Sequence, residues 1–263
     1  MAGLFKHRLQ RKAKLSRKQA YNLVMTMTMF SGHSANLDRG LPFSSEDEVR
    51  KYFEAGGYNF DQVVEECRDP QISIPLVENL VGSTFLMIGD EKTETIITSN
   101  YEAAYEAAER HLLRAVADAS FLEFESAVVR GLASIEAFLN YRAGIWNERN
   151  PDNMLIDSKE RKVSFDAKID EWIPIMTGEK LNKSDNHWNS FKRLRGIRDN
   201  LTIHSKATSH TVTYAELADL INAFRTGIAG ILIDLHILCR NWVPADVVRG
   251  YYAPEAQVVK IDE

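Results

Sequence analysis

The chain has 263 residues, of which 44% are hydrophobic and 26% charged, a composition typical of a soluble protein with one large or two smaller domains. Its two cysteines, Cys67 and Cys239, lie far apart in the sequence, so we expect neither a disulfide scaffold nor a cysteine-based zinc site. The basic N-terminus is not followed by an apolar stretch, which argues against a signal peptide. We therefore expect a protein of the reducing cytoplasm.

The formal net charge is −5, but the charge is spread unevenly along the chain. Residues 1–20 contain no Asp or Glu and seven cations, namely Lys6, Arg8, Arg11, Lys12, Lys14, Arg17 and Lys18. Such a basic arm on an acidic protein predicts either a local contact with nucleic acid or a solubilising tail.

Residues 1–100 are predicted to form a small α+β segment that carries the basic arm. A capping box at Ser45-Glu-Asp-Glu48 begins a short helix that runs to about Ala55, and residues 59–68 are a second helical candidate. Three β-rich stretches follow, at residues 71–74, 83–88 and 94–98, and the last two have the pattern of a hairpin. We find no catalytic cluster here, and the role of the segment is unknown.

From residue 101 to residue 263 the patterns are helical. Tyr101 to Ala119 is rich in Ala, Glu and Leu, and apolar residues recur every three or four positions from Phe121 to Trp146. A further short helix is expected at Asp166 to Met176. The fold class that follows is mainly α, a helical bundle with a small N-terminal α+β segment.

The strongest periodicity begins at the capping box Thr213-Tyr-Ala-Glu216 and continues to Trp242, which predicts a helix of about eight turns. Its most apolar part is interrupted by Asp234 and His236, so we expect a buried helix and no membrane span. Residues 253–263 are expected to be loose or to pair with a partner.

The stretch from Trp188 to His204 carries the candidate chemistry. Asp185 or Ser184 can cap its helix, and Leu194, Ile197 and Leu201 share one apolar face. Arg198 and His204 border that face about 120° apart. Arginine holds phosphate oxygens with two parallel donors, and histidine transfers protons near neutral pH, so the pair suits phosphate chemistry. An ordinary helix surface can also carry both residues.

Other catalytic schemes have little support in the sequence. None of the seven histidines lies at a recognised zinc-ligand spacing from Cys, Asp or Glu, and we expect neither a metal nor a cofactor. His187 is expected to cap or to pack, and His236 to be a hydrogen-bonded core histidine.

The segment Arg198-Asp-Asn-Leu-Thr-Ile-His204 resembles the signature of the HEPN superfamily, which is an arginine, a polar residue, and then a histidine after four to six intervening residues. Leu194 and Ile197 match the apolar positions before that arginine, and residues 133–140, including Glu136, are similar to the first core helix of such domains. The resemblance covers roughly residues 101–245 and implies a helical bundle.

The resemblance also implies a metal-independent endoribonuclease. In this family the ribose 2′-OH is the nucleophile, the histidine moves a proton and the arginine neutralises charge on the phosphorane. It further implies a homodimer with a composite site, because Arg198 and His204 of one helix cannot easily converge on one phosphate. The residues that would support the site are Asp199, Asn200 and Glu136. Three cations on the same helix would steer RNA toward it, namely Lys192, Arg193 and Arg195.

Two other interpretations stay open. Some relatives keep the bundle but act as inert binding modules beside a nucleotidyltransferase or an antitoxin, and a purely structural helical protein would pair both side chains internally. The intact Arg198 and His204 favour the enzyme, and the biology of relatives suggests a toxin–antitoxin or antiphage role.

Overall fold

A computed structural model describes residues 7–30, 45–55, 57–69, 100–155, 163–200, 212–241 and 243–260 of the chain. Within these residues the protein is mainly α-helical, as the sequence predicts, with one two-stranded antiparallel sheet. The helices are α1 (Arg17–Phe30), α2 (Glu46–Ala55), α3 (Phe60–Glu66), α4 (Asn100–Ala117), α5 (Phe121–Arg149), α6 (Phe165–Ala167), α7 (Ile173–Thr177), α8 (Asn186–Arg198), α9 (Tyr214–Phe224), α10 (Gly230–Leu238) and α11 (Ala245–Tyr252). The strands are β1 (His7–Arg11) and β2 (Ala256–Lys260).

Helices α4 and α5 pack against each other as a helical hairpin. Ser120 begins α5 by accepting a hydrogen bond from the Glu123 backbone N–H, and Ala119 before it takes a positive φ of 48° that reverses the chain. Helix α5 then runs 29 residues and ends at the cap Asn150, close to where the sequence predicts its end.

The long periodic stretch forms one nearly continuous helix. Its capping box is present, with Thr213 and Glu216 bonded reciprocally, and a π-helical segment at Arg225–Ala229 joins α9 to α10. The span Tyr214–Leu238 is apolar and long enough to cross a membrane, but 78% of its most apolar window is buried inside the protein. This is typical of the core helix of a soluble protein. His236 is fully buried in it and lies against Phe138, as expected for a core histidine.

The two ends of the chain pair with each other, which corrects two expectations. Strand β1 pairs with β2 in a register that joins His7 to Lys260 and Arg11 to Ala256, so residues 256–260 are neither loose nor awaiting a partner. Residues 7–20 of the basic arm are not a free tail either, because Leu9 and Leu15 are buried in the core. Sequence patterns miss this pairing because the two strands are separated by nearly the whole chain and each has only five residues.

The predicted short helices near residues 45–55 and 59–68 are confirmed as α2 and α3. The predicted strands at residues 71–98 lie outside the described residues. The predicted domain boundary near residue 100 stays a prediction. Buried residues of α1, α3 and β1 belong to the same hydrophobic core as those of the bundle. The N-terminal elements therefore contribute directly to the core of the bundle.

Candidate active site

Helix α8, which carries the Arg198 motif, starts as the sequence predicts. The Asp185 carboxylate caps it by accepting a hydrogen bond of 3.0 Å from the Trp188 backbone N–H. Its buried side chains, Trp188, Phe191 and Leu194, recur every three residues, so the helix has one apolar face. This face fixes which side of α8 turns toward the core and which side can reach a substrate.

The long helix holds α8 at very short range. A Cβ added to Gly227 would lie 2.8 Å from both the Phe191 backbone nitrogen and the Ser190 carbonyl carbon. Beside this contact, the Thr226 hydroxyl donates a hydrogen bond of 2.8 Å to the Ser190 hydroxyl. Two backbones that approach so closely give α8 a rigid position, which a site that must be preorganised requires.

Arg198 is the last residue of α8 and is partly exposed, with 28% of its side chain accessible. Its Nε and Nη2 donate hydrogen bonds of 2.9 and 2.6 Å to the same Oδ1 of Asp199. Asp199 and the exposed Asn200 continue the helix as a π-helical turn, a geometry that is frequent at functional sites. Arg198 is thus held by its own neighbour at the edge of the apolar face.

Arg195 is held differently from Arg198. It makes a two-pronged contact with Asp166 at the start of α6, with Nη1–Oδ1 and Nη2–Oδ2 distances of 2.5 and 3.1 Å. The hydrogen bond from Arg195 holds the pKa of Asp166 below its usual value. The Nε of Arg195 also lies 3.9 Å from an Asp199 oxygen, so Asp166, Arg195, Asp199 and Arg198 form one chain of alternating charge.

The other cations predicted to steer RNA are more exposed. Arg193 pairs with Asp219 of α9 at 2.7 Å, and both side chains are largely solvated, so the pair holds Arg193 weakly. Lys192 is exposed. These two side chains remain available for long-range attraction of a polyanion.

Glu136 has a structural contact of its own. Its Oε1 accepts a hydrogen bond of 2.6 Å from the Lys168 ammonium, which is almost fully buried and lies 5.5 Å from the Trp172 ring centroid. Lys168 belongs to a π-helical segment, Lys168–Trp172, that connects α6 to α7. The acid therefore ties α5 to the segment that precedes α8.

His204 and Leu201 lie outside the described residues. The structure thus gives the position of the Arg198 half of the motif, and the distance from Arg198 to His204 stays a prediction.

A second polar cluster, centred on His187, is not evident from the sequence. Its Nδ1 lies 2.8 Å from Asp234 Oδ2 and its Nε2 lies 2.8 Å from the Tyr251 hydroxyl, which joins α8, α10 and α11. The hydrogen bond to Asp234 raises the pKa of His187. Gly230 lies one helical turn before Asp234 and leaves room for the ring, since a Cβ there would be 2.8 Å from His187 Cδ2.

Asp185, His187 and Asp234 also meet the geometric requirement for holding a metal ion, with one potential ligand atom of each within 4.8 Å of the others. All three side chains already have protein partners, because Asp185 caps α8 and Asp234 binds His187. The cluster escapes sequence analysis because Asp234 and Tyr251 lie 47 and 64 residues from His187 in the chain. The local signals are the closeness of Asp185 to His187 and the spacing of Gly230 and Asp234 on one helical face.

Comparisons with protein-family models, with curated proteins and with solved structures find no match for this chain.

Proposed function

We propose that this protein is a metal-independent endoribonuclease in which Arg198 and His204 act at the interface of a homodimer. By the HEPN resemblance, we further propose that it is a cytoplasmic toxin or antiphage effector restrained by an antitoxin or another regulatory protein. RNA is the proposed substrate.

The observation that carries the proposal is the state of Arg198. Arg198 is the last residue of a rigidly held helix and is partly exposed. Its guanidinium donates hydrogen bonds to the adjacent carboxylate of Asp199. A phosphate offers the same kind of acceptor with more charge, so it can replace Asp199 on the guanidinium without disturbing the packing of α8. Arg195, tied to Asp166 of another element, is less suited to that exchange.

The proposed reaction needs no group from outside the RNA and the protein. The 2′-OH attacks the adjacent phosphorus, and a histidine takes its proton while the bond from phosphorus to the 5′ oxygen breaks. A proton from histidine or water passes to the leaving oxygen, and Arg198 neutralises the charge that develops on the phosphoryl oxygens. The products are a 2′,3′-cyclic phosphate and a 5′-hydroxyl.

The homodimer follows from the offset of about 120° between the two side chains on one helix. A two-fold axis beside the end of α8 brings Arg198 of one protomer toward His204 of the other. Asp199 is then a positioning residue that holds the guanidinium until substrate arrives.

The alternative is an inert HEPN-like module that binds nucleotide, RNA or a protein partner. It is favoured by the pairing of Arg193, Arg195 and Arg198 with carboxylates, which lowers the positive field available for RNA.

The decisive test is cleavage of a mixed RNA pool by the purified protein in EDTA, followed by analysis of the product ends. His204→Ala should lower the rate roughly 10²- to 10⁴-fold, and Arg198→Ala on the order of 10²- to 10³-fold. Arg110→Ala is the control, since it removes an equal charge from an exposed ion pair on α4 and should keep most of the activity. The variants must melt at the same temperature as the wild type, so that unfolding is not mistaken for lost chemistry. If His204→Ala keeps wild-type activity, the nuclease mechanism is refuted and the binding-module interpretation replaces it.

The EDTA condition also separates the motif from the cluster around His187. Activity that disappears in EDTA and returns with a divalent metal would contradict the metal-independent mechanism and point to Asp185, His187 and Asp234 instead.

Mixing inactive variants tests the composite site. A heterodimer of Arg198→Ala with His204→Ala contains one site with both intact residues if they come from opposite protomers. Random exchange should then restore about a quarter of the wild-type activity, since half of the dimers are mixed and each has one good site. No recovery after demonstrated subunit exchange would refute the composite site.

A further inference from the structure

Two arginines converge where the terminal strands meet the long helix. The Asn222 side chain of α9 makes two hydrogen bonds to the first residue of β2. It donates to the Ala256 carbonyl at 3.0 Å and accepts from the Ala256 backbone N–H at 2.8 Å. Ala256 is the register partner of Arg11 on β1. Arg225 follows Asn222 by three residues and therefore lies on the same side of the helix.

Arg11 points inward because of its place in the strand. Leu9 is buried while Arg8 and Gln10 are exposed, and strand alternation puts Arg11 on the face of Leu9. Its Nε and Nη2 atoms are buried, and among the described residues neither has a hydrogen-bond partner. Buried guanidinium donors without an acceptor are costly, so native proteins almost always satisfy them.

Arg225 is a second buried cation in the same place. Its Nε and Nη2 donate to the Tyr251 carbonyl oxygen at 3.1 and 3.0 Å, which is a neutral acceptor. Burial lowers the pKa of Arg225, the charge of Glu255 acts against this, and Arg11 lowers the pKa further, as expected for two guanidinium groups that repel each other. Two like charges are thus held together in an enclosed space.

The nearby carboxyl groups interact with these charges, but they accept no hydrogen bond from the Nε or Nη2 of Arg11. Glu255 is bonded to Lys12. Glu109 accepts a hydrogen bond of 2.9 Å from the Tyr105 hydroxyl, and burial raises the pKa of Glu109. The backbone of α11 covers these groups at Gly250, where an added Cβ would strike the Tyr105 hydroxyl and lie 2.6 Å from Glu109 Oε1.

We propose that Arg11 and Arg225 form a binding site for a phosphate oxyanion, either free or carried by a mononucleotide. The anion would accept hydrogen bonds from the two unsatisfied Arg11 nitrogens and separate the two positive charges. Guanidinium groups match the geometry of phosphate oxygens, and charge-assisted bonds in a low-dielectric site are strong. The occupant is small, because the Arg11 donors are enclosed. The site is independent of the proposed nuclease reaction.

The test is titration of the full-length protein, freed of phosphate, with sodium phosphate and with AMP. Sodium chloride at equal ionic strength is the reference, and calorimetry and melting temperature are the readouts. The wild type should bind one equivalent saturably and melt higher as the ligand is added. Tighter binding of AMP than of phosphate identifies a nucleotide as the source, and the opposite order identifies the free oxyanion.

Variants localise the binding. Arg11→Gln and Arg225→Gln should each weaken phosphate binding about tenfold or more, because charge-assisted hydrogen bonds are lost. Arg8→Gln is the matched control from the exposed face of the same strand and should bind as the wild type does.

Absence of saturable phosphate and AMP binding by the wild type would overturn the proposal, and this needs no variant to fold. Equal weakening by Arg8→Gln and Arg11→Gln would also overturn it, because binding would then follow net charge alone.

Discussion

Gly227→Ala should reveal how closely the motif helix is fixed to the core. The new methyl group would lie 2.8 Å from two backbone atoms of α8 and 2.8 Å from Leu194 Cδ1. The leucine can rotate away, but the backbone of Phe191 and Ser190 can yield only if α8 moves as a whole. The substitution therefore tests the contact that positions Arg198.

The expected magnitude follows from two opposing terms. Replacing glycine by alanine inside a helix stabilises a protein by roughly 0.5–1 kcal/mol. Overpacking costs about 1–3 kcal/mol, and rigid backbone neighbours put Gly227 at the upper end of that range. The net destabilisation should be about 2 kcal/mol.

Gly144→Ala is the matched control, because this glycine lies inside α5 and a Cβ there would meet nothing within 4 Å. Gly144→Ala should gain only the stabilisation that alanine gives inside a helix, so the free energies of unfolding of the two variants should differ by about 3 kcal/mol. In a chain of this size that corresponds to a gap of roughly 6 °C or more in melting temperature. Urea and thermal unfolding followed by circular dichroism measure both values. Equal stability of the two variants would refute the close backbone contact and the rigid placement of α8.

Three further outcomes are expected. The pKa of His187 is raised in the folded protein, so its hydrogen bond to Asp234 should stabilise the fold fully below about pH 6.5. This stabilisation should be lost as the pH rises through the pKa of His187 in the folded protein. The difference in the free energy of unfolding between the wild type and Asp234→Asn should therefore narrow between pH 6 and pH 9, and a constant difference would contradict this. Burial raises the pKa of the Cys67 thiol to about 12, so iodoacetamide should modify Cys67 only as fast as the protein unfolds, and rapid labelling of the native protein would be inconsistent with the packing of α3. Glu136→Ala should lower the free energy of unfolding by about 1–2 kcal/mol, because it leaves the buried Lys168 ammonium without its carboxylate. Adding Lys168→Met should restore most of that loss. If urea unfolding of the double variant shows no recovery, Glu136 stabilises the protein through a partner other than Lys168.

Local signals in the sequence were sufficient for most of the helices. Asp185 and Thr213 each cap the helix that their spacing predicts, because a cap needs only a side-chain oxygen and a backbone N–H three residues ahead. The apolar repeat of the long helix likewise predicts both its start and its burial. These features depend on neighbours within one or two helical turns.

The candidate site was predictable to a smaller extent. The spacing of apolar residues put Arg198 at the edge of a buried face, and its side chain is partly exposed there. No sequence pattern could indicate that Arg195 would bind Asp166, 29 residues earlier, while Arg198 binds Asp199 beside it. Partners of long cationic side chains depend on which helices pack together.

The sequence alone determined that the chain forms capped, amphipathic helices and that one of them carries Arg198 beside its apolar face, because these properties follow from short-range periodicity. Only the tertiary structure decided that β1 pairs with β2, that His187 joins Asp234 and Tyr251, and that two nitrogens of Arg11 are buried. Such contacts link residues far apart in the chain, and the His187 contact also needs the space at Gly230, where an added Cβ would strike the imidazole ring. A glycine in a sequence does not reveal which neighbour will occupy the space that its missing side chain leaves.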